Sequence, residues 1–169
     1  MPCVIGIDVG SQSVKSVLVD DQGTALATAS APCAMSHPAG GWAEQDPAHW
    51  EQALAQTVRE VREQAGVGRE DVAMLGLACQ VDGLVAMDER LRPLRPGIIW
   101  LDRRATRQSD ALAAAAGEGT LIERTGLNPD ASHTAPKAMW LARARPRELA
   151  LAGSVLATGD TDSRTMVAV

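Results

Sequence analysis

Short apolar runs at residues 3–8 and 13–20 predict two strands, the first carrying an acid, Asp8, to its end. "DDQG", 20–23, is turn chemistry, with Gly23 free to take a positive φ. "TALATASA", 24–31, predicts a third strand, so the chain opens as a three-stranded antiparallel meander followed by a loop over 32–45. Asp46-Pro47 then supplies an acidic N-cap and a proline at the first helical position. Trp50, Leu54, Val58, Val61 and Ala65 recur at helical spacing and give one apolar face, and Gly66 is a C-terminal stop. "VAMLGLAC", 72–79, predicts a short buried strand. "GLVAMD", 83–88, predicts another with "ERLRPL" as its turn, and "GIIW", 97–100, a further short one. Residues 103–116 and 136–145 predict helices. The order is an α/β pattern without internal repeat, low-complexity tract or linker. The tail, "GSVLATGDTDSRTMVAV", stops on largely apolar residues and is expected to be cut short of a finished domain.

Composition narrows the function. A length of 169 residues suits one domain, and 46% apolar residues suffice for a core. A net charge of −5 argues against nucleic acid as the main partner, because phosphate neutralisation needs a basic face. Phe and Tyr are absent, which leaves four tryptophans (Trp42, Trp50, Trp100, Trp140) and no stacking platform for single strands. Cys3, Cys33 and Cys79 are odd in number and match no zinc spacing, so a reducing cytoplasm is expected. The first residues lack a basic segment and are interrupted by Asp8, so no signal peptide is expected, and no apolar stretch approaches a membrane span.

Candidate chemistry sits at the strand ends. In "IDVGSQSVK", a glycine permits close backbone approach, and Gly10, Ser11, Gln12 and Ser13 offer amides and hydroxyls to a phosphate. Lys15 adds a positive charge, and Asp8 is a candidate to hold Mg²⁺ through water. A polar β-turn accounts for the same residues. Gln80 and Asp82, in "CQVDG", suit a polyhydroxylated ligand, and an Asp-Gly turn accounts for them equally. In "WLDRRA", Trp100 is a candidate wall under a sugar ring, Asp102 a helix N-cap, and the arginines a solvated helix face. His133 is a candidate acid or base, although a lone loop histidine more often reads as exposed surface, and "GDTDSR", 159–164, reads as an acidic loop rather than a metal site.

Taken in order, "IGIDVGSQSVKSVLVD", "GWAEQDPAHW", "GLACQVDGLVAMD", "LRPGIIWLDRRA" and "TGLNPDASHTAPKAMWL" resemble the FGGY family of carbohydrate kinases, with a xylulokinase-like flavour, from residue 3 to about 145. The pairing of "GWAEQDPAHW" with "IIWLDRR" is specific, whereas actin, hexokinase and chaperone ATPases share the opening segment. The resemblance implies an α/β, ribonuclease-H-like fold with a mixed sheet, incomplete at its C-terminal end. It makes residues 1–169 the N-terminal, sugar-binding domain, with the second, ATP-binding domain outside this chain. It also implies transfer of the γ-phosphoryl of ATP, with Mg²⁺, to a sugar hydroxyl, in a cytoplasmic enzyme that forms a homodimer when intact. By the same likeness Asp8 lies near magnesium and the transferred phosphoryl. Gly10, Ser11, Gln12, Ser13 and Lys15 face the phosphates, and Gln80, Val81, Asp82, Trp100 and Asp102 line the sugar pocket. Many xylulokinases carry Met-His, and glycerol kinases Arg-Glu, where this chain has Val81-Asp82, so the sugar stays open. The family's catalytic aspartate and adenine pocket have no counterpart here, and the chain alone is expected to be inactive. A non-catalytic remnant or standalone sugar- or phosphate-binding module is the alternative. A different actin-like ATPase is disfavoured by "QVDG" and "IIWLDRR".

Overall fold

The computed structural model describes residues 2–152 and 154–158. Its elements are β1 (Cys3–Val9), β2 (Ser13–Val19), β3 (Ala25–Pro32), β4 (Glu44–Gln45), α1 (Pro47–Ala65), β5 (Val72–Cys79), β6 (Gly83–Met87) and β7 (Gly97–Ile98). Then follow α2 (Thr106–Ala116), α3 (Glu118–Thr125), α4 (Thr134–Ala144), α5 (Pro146–Leu151) and β8 (Ser154–Thr158). They fall into two units, Met1–Met35 with Asp46–Gln80, and Ser36–Gln45 with Val81–Val169.

The first unit is a mixed sheet of order β3-β2-β1-β5, in which β1 runs antiparallel to β2 and parallel to β5. The predicted meander is present, and Gly23 has φ 80° in its turn. Alternation sets the two faces of the sheet. Cys3, Ile5, Ile7 and Val9 are buried on β1, as are Val14, Ser16 and Leu18 on β2, and α1 lies against β2 and β3. Both predicted ends of α1 are observed. An Asp46 carboxylate oxygen accepts from the Ala48 amide at 3.0 Å, and Gly66 takes φ 64° as the C-cap. The buried row is Trp50, Ala53, Thr57 and Val61, slightly rotated from the apolar stripe read in the sequence. Small Ala53 lets the helix settle, and Ser16 Oγ donates to Thr57 Oγ1 at 2.8 Å, so a hydroxyl pair takes a central place.

β5 departs from expectation. It is a strand, but Met74 and Leu75 are 63% and 58% exposed. Among the described residues it pairs only with β1, at the sheet's edge, and α1 packs mainly on β2 and β3 instead. An apolar run does not tell an edge strand from a central one.

The second unit is an antiparallel sheet of order β4-β7-β6-β8 with helices α2–α5. Leu84, Ala86, Ile98 and Leu141 form its core, joined by Leu94, Ala138 and Trp140. Several boundaries differ from those predicted. β4 occupies the end of the expected loop, β7 stops at Ile98, and α2 starts at Thr106 because a turn takes up the intervening residues. α3 buries no residue, so it offers no apolar stripe to read, although Glu118 and the left-handed Gly126 mark its ends. The "GDTDSR" segment lies outside the described residues.

Candidate functional site

Predicted site residues occur in both units. In the first, β1 and β5 run parallel and end together, so Gly10 and Gln80 follow the same edge of the sheet; the Gln80 amide donates to Val9 O at 2.8 Å. Ligands of open α/β sheets bind outside such carboxyl ends. Gly10 closes the hairpin by donating to Ser13 O at 3.0 Å, and the Cys33 amide donates to Gln12 O at 2.9 Å. A Cβ on Gly10 would lie 3.1 Å from that Ser13 oxygen, so the turn is built for glycine. Asp8 is directly opposite Lys15 in the ladder, on the sheet face turned away from α1. Both line a groove of about 660 Å³ with Gly6, Val17, Thr28 and Ser30. Gly6 pairs with Gly76, so two adjacent positions near Asp8 carry no side chain. The groove thus offers one carboxylate, one ammonium and hydroxyls, a donor set that suits an anion with a hydrated cation.

In the second unit Asp82 has a left-handed backbone, φ 57°, just before β6. Its carbonyl accepts from Lys137 Nζ, which also donates to Ser132 O. Its Oδ2 lies 3.1 Å from His133 Nδ1. Lys137 comes from the first half of α4 and is fully buried; burial pushes its amine down to about 8, against the pull of Asp82 and Asp102. His133 is therefore not loop surface: its side chain is 19% exposed and bound to Asp82. Val81 and Trp100 are exposed, as contact with a ligand requires.

Asp102 is corrected on two counts. It is fully buried, and it does not cap α2, whose N-cap is Ala105 with no side-chain bond. Its Oδ2 accepts from the Ala43 amide at 2.6 Å, and both oxygens accept from Arg104 Nε at 2.9 Å, so no ligand reaches it. Arg104 is likewise not a solvated arginine. It bonds Glu44 Oε1 at 2.7 Å and stacks 3.8 Å over Trp42 and 4.9 Å from Trp140. Arg95 reaches the same Glu44 oxygen at 2.5 Å. Two acids, two arginines and two tryptophans thus brace β4 and the segment after β7. Sequence reasoning missed Arg104, Lys137 and His133 as partners, although "WAEQ" and "WLDRR" place the acids and arginines of the cluster.

Among the described residues no three His, Cys, Asp or Glu side chains gather at metal-binding range, and no helix is long and apolar enough to cross a membrane.

Comparison with known proteins agrees with this layout. Residues 3–161 match the N-terminal domain of the FGGY family of carbohydrate kinases. The chain is 34% identical to a xylulose kinase of Escherichia coli (strain K12) over 142 residues, covering 84% of this chain and 28% of that protein. It is 35% identical over 167 residues to a glycerol kinase of Paracidovorax citrulli, covering 96% and 33%. The crystal structure of a xylulose kinase from Rhodospirillum rubrum superposes with a TM-score of 0.85 at 29% identity, over 92% of this chain and 32% of that one. The α/β, mixed-sheet, ribonuclease-H-like architecture is shared, and the chain spans about a third of the length of these relatives. The chain belongs to the FGGY family of carbohydrate kinases and falls within its N-terminal domain.

Proposed function

We propose that this chain is the N-terminal part of an ATP-dependent kinase that phosphorylates a hydroxyl of a ketose or polyol such as xylulose. The observation that carries the reading is the groove of the first unit, where Asp8 and Lys15 face each other beside a glycine hairpin. Magnesium nucleotide, when bound, supplies the phosphoryl group. Lys15 and the Gly10–Ser13 hairpin orient phosphate oxygens, and Asp8 holds the hydrated magnesium through water. The donor set fits this use, since magnesium keeps several waters and asks for one or two carboxylates beside phosphate. Val81, Asp82 and Trp100 receive the sugar, with Asp82 accepting from hydroxyls and Trp100 covering an apolar ring face. A cytoplasmic setting agrees with an odd number of cysteines at no zinc spacing.

The similarity to both xylulose and glycerol kinases supports an acceptor among neutral polyhydroxylated compounds. Thermal unfolding of the 169-residue chain tests this. D-Xylulose or glycerol at a hundredfold excess over Kd should stabilise it by about 2.7 kcal/mol, and Asp82→Ala should remove the effect. An anionic aldonate should give none, because it meets the Asp82 carboxylate. Absence of stabilisation by every neutral sugar and polyol would overturn the reading. ADP release by the chain alone should stay at background, because phosphoryl transfer needs groups on both sides of a closed cleft. Sugar-dependent turnover at an ordinary rate would contradict that division of labour.

A further inference from the structure

We propose that His133 is a positioning residue that sets sugar affinity by holding the Asp82 carboxylate in place. The inference rests on the sugar-binding role given to Asp82 above. Three observations on this unit lead to it. First, Asp82 is a non-glycine residue in the left-handed region, a conformation that persists only where its surroundings impose it. Lys137 imposes it on the backbone by donating to the Asp82 carbonyl. Second, the side chain is held separately: Oδ2 lies 3.1 Å from His133 Nδ1, while Oδ1 has no hydrogen-bond partner among the described residues. The Asp82 side chain is 29% exposed, so it presents an oriented acceptor to solvent. Third, His133 Nε2 is buried and makes no hydrogen bond among the described residues. The bond to Asp82 is therefore the one that orients the ring, and it places the proton on Nδ1.

A carboxylate so held accepts from sugar hydroxyls without first losing rotamer freedom, which is how preorganisation raises affinity. Ser132, next to His133, is tied to the same lysine through its carbonyl, so the histidine sits on a braced turn at the start of α4. The device selects for ligands that donate hydroxyls at a fixed place.

Titration calorimetry of the 169-residue chain with D-xylulose tests the inference. His133→Phe keeps the ring and removes the donor, and should weaken binding by roughly 10-fold or more, as expected for a hydrogen bond to a charged group. His133→Asn keeps a donor near the position of Nδ1 and should restore affinity to within about threefold of the unsubstituted chain. A merely structural histidine would not show rescue of affinity by asparagine while both variants melt alike. Asp82→Ala is run beside them. If it abolishes binding while His133→Phe binds normally, the positioning role is overturned and the sugar site stands. If Asp82→Ala binds normally, or the unsubstituted chain binds neither D-xylulose nor glycerol nor any other neutral sugar or polyol, both fall. Should His133→Phe fail to fold, the nitrogen-bound proton of His133 is followed by NMR in the unsubstituted chain. A shift on adding D-xylulose supports the role, and an unmoved signal at saturation overturns it.

Discussion

Replacing Arg104 with alanine is expected to cost about 3–5 kcal/mol of stability, the penalty for stripping one partner from a buried ion pair. The Arg104 side chain is 1% exposed and holds the carboxylates of Asp102 and Glu44, which are themselves buried. Without it the Asp102 carboxylate keeps the Ala43 amide and the backbone amide of position 104 but loses its ion-pair partner, while Glu44 keeps Arg95. Trp42 also loses the guanidinium stacked on its face. Arg104→Lys should recover little, since an ammonium neither forks onto a carboxylate nor stacks as a plane. Arg103, its neighbour in sequence, is the control. It meets Asp130 at the surface, so Arg103→Ala should change stability by about 1 kcal/mol or less. Urea unfolding of the two variants measures the contrast, and equal losses would show that the cluster does not carry the load assigned to it.

The second large effect concerns Lys137 and has a definite sign in pH. Burial lowers its amine from 10.5 to about 8 in the folded chain. Between those values the unfolded chain binds a proton that the folded chain does not, so this group makes stability rise with pH across that window. Below pH 8 the ammonium is charged in both states and the full penalty of burying it is present. In Lys137→Met this dependence is gone, while the other groups titrate alike in both proteins. The stability of the unsubstituted chain relative to Lys137→Met should therefore climb by roughly 3 kcal/mol from below pH 8 to above 10.5, at 1.36 kcal/mol per pKa unit. A flat difference across that range would place the amine in a wetter setting than the one found here.

How much of this was legible from residue order follows a physical line. The hairpin at Gly23, the cap at Asp46 and the stop at Gly66 rest on neighbours a few positions apart, and all three are where local chemistry puts them. Asp8 and Lys15 were also legible, because strand alternation and one tight hairpin bring them face to face. What escaped reading was partnership at long range. Asp82 and His133 are 51 positions apart, and Arg104 and Glu44 are 60. Taken singly, a loop histidine looks solvated and an arginine before a helix looks like surface. Asp102 looked like a cap for the same reason: its own segment holds a helix start, but the Ala43 amide that it binds comes from far up the chain. Exposure of β5 was hidden differently, since an apolar strand carries no mark of whether another element covers it.

The most direct test of the account is an amide NMR map of the chain with two ligands added separately. D-Xylulose is predicted to shift Val81, Asp82, His133 and the Trp100 indole in the second unit. Magnesium ATP is predicted to shift Asp8, Gly10 to Ser13 and Lys15 in the first. Sugar-induced shifts confined to the first unit, or no change with either ligand at saturating concentration, would contradict the assignment of a sugar site to one unit and a phosphate groove to the other.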